Sequence, residues 1–125
     1  MTQHLIAVTL DTDPDGLTAA TYDRETLDWS STERAFALHT DLASVEDSVG
    51  AAVPITWFIR VDQQVRQHFG SALHLFDGHR EFWLSGMQRG DELGWHPHLY
   101  HLRPDGNELV TDSATAVAML QQIWD

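Results

Sequence analysis

The sequence predicts an α/β domain built on a parallel sheet, and three observations carry that expectation. Short apolar runs rich in β-branched and aromatic residues alternate with segments of helical period. The order reads β, helix, β, helix, β, helix, which implies parallel strands joined by right-handed crossovers. Each apolar run ends in polar residues: Asp11 and Asp13, then Arg60 and Asp62, then His96 and His98. Functional groups in parallel α/β folds gather at the carboxyl ends of the strands. The chain has 125 residues and a mass of 14.1 kDa, which suits one domain over 1–125.

The first strand is expected over Leu5 to Leu10, followed by a turn at Asp11-Thr12-Asp13-Pro14-Asp15-Gly16. Residues 17–40 are rich in Ser and Thr and read as a connection, with a short helix around Ser31 to Leu38. Asp41 is placed to cap a helix carrying Leu42, Val45, Val49 and Ala52 on one face. Ile55 to Val61 reads as a strand buried on both faces. Asp62 caps a short helix with Val65 and Phe69 one turn apart, closed by Gly70. Residues 78–89 have helical spacing in Phe82, Trp83 and Met87, with Gly90 as the stop. The third strand runs from Glu92 toward His98. Arg103 to Asn107 is a loop. Asp112 or Ser113 caps a last helix whose apolar stripe is Val117, Leu120 and Trp124.

Composition narrows the function. Seven basic residues, all Arg, stand against 19 acidic ones, a net charge of -12. Such a surface repels phosphate backbones and anionic lipid, so nucleic acid and membrane surfaces are not expected partners. No run approaches the length of a membrane span. The start, Met1-Thr2-Gln3-His4, lacks the pattern of a signal peptide, so a cytoplasmic location is expected. With no Cys, 13 Asp and eight His, the metal ligands on offer are carboxylate and imidazole. That mix suits zinc, iron, manganese, cobalt or nickel.

Asp11 and Asp13 share a face if the backbone is extended, and two such carboxylates repel unless a cation or a proton separates them. One can bind a metal while the other acts as a base on metal-activated water. Turn chemistry alone also explains Asp-Pro-Asp-Gly, and Asp15 and Gly16 are assigned to the turn. His96 and His98 share a face if the strand continues through Pro97, and His101 joins them if the chain folds back. Arg60 either orients Asp11 by a bidentate pair or simply leaves the core at a strand end. Trp57, Phe58, Trp83 and Trp95 are expected in the core, with Trp95 also a candidate wall of a sugar cleft. His39, His68, His74 and His79 show no partner pattern. Ser30, Ser31 and Ser85 lack the Gly-x-Ser-x-Gly context of a serine hydrolase.

The segments Val8 to Asp13, Ile55 to Ile59 and Gly90 to His96 resemble the first three modules of the polysaccharide deacetylase family, carbohydrate esterase family 4. The resemblance implies part of a distorted (β/α) barrel, about half of the family's usual length. It implies Asp11 as the catalytic base, Asp13 as the first metal ligand and His96 as the second. The family's histidines stand four residues apart, but the residue four after His96 is Tyr100. The third ligand is therefore His98 or His101, with His98 favoured because it shares a strand face with His96. The implied activity is metal-dependent removal of acyl groups from N-acylated sugars or related amides, with zinc the expected ion. The implied partner is a small-molecule or oligosaccharide substrate. A half-barrel has two open sheet edges, a route to a homodimer. The competing reading is a catalytically inert metal-binding or oligomerising module; a third is a structural domain with incidental histidines.

Overall fold

The computed structural model describes residues 7–16, 27–42, 44, 50–51, 53–105 and 107–124. Its centre is a three-stranded parallel sheet in the order β1-β2-β3: β1 (Val8–Thr12), β2 (Ile55–Ile59) and β3 (Glu92–Trp95). The register pairs Leu10 with Trp57 and Trp57 with Leu93. The helices are α1 (Ser30–Leu42), α2 (Gln63–Phe69), α3 (His74–Gly78), α4 (Arg80–Arg89) and α5 (Ser113–Trp124). A two-stranded antiparallel ladder, β4 (Tyr100–His101) with β5 (Glu108–Leu109), lies apart from the sheet. The α/β class and the parallel sheet hold; the described strands form an open sheet, with no closed barrel among them.

Period two along the strands explains which face is covered. Ile55, Trp57 and Ile59 are buried, with Val8, Leu10 and Leu93 packed beside them. Onto this face Phe36 of α1 and Phe82 and Trp83 of α4 bring an aromatic cluster around Trp57, with ring centroids 5.0–5.8 Å apart along its edge-on pairs. The other face carries Thr9, Asp11, Thr56, Phe58, Glu92 and Gly94. Thr56 and Phe58 are only half-buried, so β2 is not buried on both faces as its composition suggests. Phe58 leans over Gly94, where an added Cβ would stand 2.7 Å from its ring.

Several boundaries differ from expectation. β1 continues through Asp11 and Thr12, because Thr12 is still paired with Ile59, and Asp15 then bridges Asp28 before the turn at Gly16. α1 runs through Asp41, so Asp41 is the exposed penultimate residue of that helix, where it costs little; the helix expected after it falls largely outside the described residues. Val45, Val49, Ala52 and residues 17–26 lie outside the described residues. β3 stops at Trp95 rather than reaching His98. Pro97 has no N–H for a ladder, and the His98 N–H goes to Asp62 instead. α3 was not legible as a separate helix. Among the described side chains of α5, Ile123 packs against the core while Val117 is 53% exposed; Trp95 is 43% exposed rather than in the core.

The caps follow the sequence closely. The Asp62 side chain accepts the Val65 N–H at 3.0 Å, and Gly70 takes φ 85° at the C-terminus of α2. Gly90 closes α4 with φ 101°. Asp112 accepts the Thr115 N–H at 2.8 Å and caps α5. No helix among the described residues is long and apolar enough to cross a membrane.

Candidate metal centre

The carboxyl ends of the three strands converge on Asp13, His96 and His98, whose ligand atoms lie within 4.8 Å of one another. Each arrives by a different constraint. Asp13 follows β1 directly, and its carbonyl oxygen accepts the Thr32 hydroxyl at 3.2 Å, which ties it to the first turn of α1. His96 continues the β3 direction, donating its N–H to the Ile59 carbonyl at 2.8 Å. The His98 N–H donates to Asp62 Oδ2 at 2.9 Å. Asp62 is fully buried and holds the His98 backbone, the Arg60 Nε and the start of α2 at once.

Arg60 is the hub of the site, 2% exposed. Its Nη1 donates to Asp13 Oδ1 at 2.5 Å, its Nε to Asp62, and its Nη2 to Gln64 Oε1 at 2.7 Å. It therefore orients Asp13, not Asp11, and it does not leave the core. The reason is register: Asp13 lies beyond the end of β1 beside the end of β2, where Arg60 emerges. Charge-assisted bonds of this kind fix a carboxylate in one direction.

His96 Nε2 and His98 Nε2 face each other at 2.7 Å. Burial, and next the Arg60 guanidinium, hold His98 below the ordinary histidine value of 6.5, with Asp13 pulling the other way. A neutral ring is the form that ligates metal. Donors of a tetrahedral zinc centre with bonds of 2.0–2.1 Å stand about 3.3 Å apart, so the two rings need to part by only about half an ångström. Two imidazoles and one Arg-held carboxylate fit a catalytic-type ion that keeps an open position.

The remaining candidates fall outside this group. Asp11 has a side chain 57% exposed, and its Oδ1 lies 3.5 Å from His96 Nδ1. His101 sits on β4 opposite Glu108 and is not part of the group formed by Asp13, His96 and His98. Asp15 serves the start of α1: its Oδ2 accepts the Ser31 N–H at 2.7 Å and the Ser30 hydroxyl at 3.2 Å, which lowers its pKa. Beside Asp13 opens a cleft of about 300 Å³, lined by Leu10, Ala35 and Trp57 and by Ser31 and Thr32.

Sequence reasoning assigned nothing to His39, yet it is 2% exposed and bonded to Asp91 at 2.7 Å. Asp91 also accepts the Ile55 N–H and the Trp57 indole N–H, at 3.1 and 3.4 Å. This second polar cluster lies at the amino ends of β2 and β3, at the other end of the strands from Asp13, His96 and His98. His39 at the inward spacing of Phe36 on α1 was the available signal. No family model, characterised protein or solved structure matches the chain.

Proposed function

We propose that the chain is a metal-dependent hydrolase that removes acyl groups from N-acylated sugars or related amides, on a partial (β/α) barrel of the deacetylase type. The observation that carries this reading is the convergence of Asp13, His96 and His98 at the carboxyl ends of the strands. The motif likeness of those segments to polysaccharide deacetylases supports the reaction class. Asp13 and the two imidazoles would hold a divalent ion, zinc by donor chemistry. When bound, the ion supplies Lewis acidity that polarises the acyl carbonyl and makes water nucleophilic at neutral pH. Arg60 holds the Asp13 carboxylate in one direction through Nη1, and Asp62 fixes the backbone on which His98 turns. Of the three ligand residues, Asp13 alone lines the cleft beside it.

The test is acetate release from acetylated chitooligosaccharides and simple acetamides by zinc-loaded protein. Release that disappears in Asp13→Ala and His96→Ala is the expected result; release that survives in both variants, or zinc affinity that does, removes the assignment. The alternative, an inert metal-binding or oligomerising module, is favoured by the three-stranded sheet with its open edges among the described residues. It predicts zinc binding without turnover and a dimer by light scattering.

A further inference from the structure

We propose that Asp11 is a positioning residue for His96 rather than the base of the reaction; the inference rests on the metal centre proposed above. Asp11 lies on the outer strand β1, and His96 follows directly on the other outer strand, β3, in step with the same face. Asp11 pairs in register with Phe58, and Phe58 with Gly94, two residues before His96. Gly94 has no side chain, so the Phe58 ring lies over it. The Asp11 carboxylate approaches His96 at Nδ1, with Oδ1 at 3.5 Å. The other ring nitrogen, Nε2, is the one turned toward His98.

An imidazole can present a lone pair at Nε2 only when its proton is on Nδ1. A carboxylate at Nδ1 selects that tautomer, fixes the ring and raises its basicity toward a metal. A general base, by contrast, must come within about 2.6–3.2 Å of the water it deprotonates. Asp11 stands at the back of the ring and outside the 4.8 Å group of donors. Its place suits orientation of the ligand.

The test compares wild type, Asp11→Asn, Asp11→Ala and His96→Ala by zinc competition against a chromophoric chelator. Asp11 is exposed, so its variants are expected to fold. Asp11→Ala is expected to lower zinc affinity about 10- to 100-fold. Asp11→Asn retains a carbonyl oxygen that accepts the Nδ1 proton, and is expected to recover most of that loss. Unchanged zinc affinity in Asp11→Ala with activity abolished equally in both variants would identify Asp11 as the base and overturn the proposal. A second readout needs no metal: long-range ¹H–¹⁵N spectra of the metal-free protein report the His96 tautomer. The expected result is the Nδ1–H form in wild type and a mixture in Asp11→Ala; the same tautomer population in both removes the positioning role. If wild type takes up no zinc while the tautomer shifts as expected, the metal centre fails and the Asp11–His96 coupling stands.

Discussion

Arg60 carries one positive charge into a place almost without solvent, and its stability there depends on three partners at once. Truncating one side of a buried ionic network strands the other, at about 3–5 kcal/mol. Arg60→Ala is therefore expected to destabilise by that order in urea titrations. Arg60→Lys is expected to recover little, since an ammonium cannot reach Asp13, Asp62 and Gln64 from one fork. His98 gives the pH dependence. The unfolded chain binds its proton near pH 6.5 and the folded chain only below that. The metal-free fold thus has the full contribution above about pH 6.5 and loses it as pH falls toward the lower folded value. Melting temperatures of EDTA-treated protein from pH 8 to 5 should fall less steeply in His98→Asn than in wild type. The polar strand ends were legible residue by residue, because each ended an apolar run. Which carboxylate Arg60 meets was not, because the answer depends on the register between β1 and β2, which local pattern does not encode.

At the scale of elements, the outer sheet face has one tight place. A methyl group on Gly94 would stand 2.7 Å from Phe58 Cδ1. Overpacking of this kind costs about 1–3 kcal/mol. Gly94→Ala should show that loss in chemical denaturation, while Gly78→Ala, with nothing within 4 Å of the added carbon, should not. Elements with local punctuation were readable: Asp62 and Gly70 bracket α2, and Gly90 ends α4. Elements decided by distant contacts were not. Asp41 has the chemistry of a cap, yet α1 passes through it because its inward residues, Phe36 and His39, are held by α4 and Asp91. β4 and β5 have two residues each, too few for any period to show.

For the whole molecule, charge is the dominant long-range term. A net of -12 on 125 residues favours expansion by self-repulsion, and salt screens it over a Debye length of about 10 Å at 0.1 M. The melting temperature is expected to rise between 20 and about 300 mM NaCl; a fall would mean that favourable ion pairs, such as those at Arg60, outweigh the repulsion. The α/β order and the gathering of Asp13, His96 and His98 at one end of the sheet were readable because alternation and strand ends are chain-wide patterns. The helix packing on one face was not, since it depends on which way each crossover side chain turns. Trp57 touches both places: its indole N–H reaches Asp91 at one end of the sheet, and the residue is part of the lining of the cleft beside Asp13. That makes it a built-in spectroscopic probe. With 5-fluorotryptophan in place of the five tryptophans, the Trp57 resonance would register both an occupant of the cleft and a disturbance of the His39–Asp91 pair. A single ¹⁹F signal would then tell whether the two ends of the sheet respond together or apart.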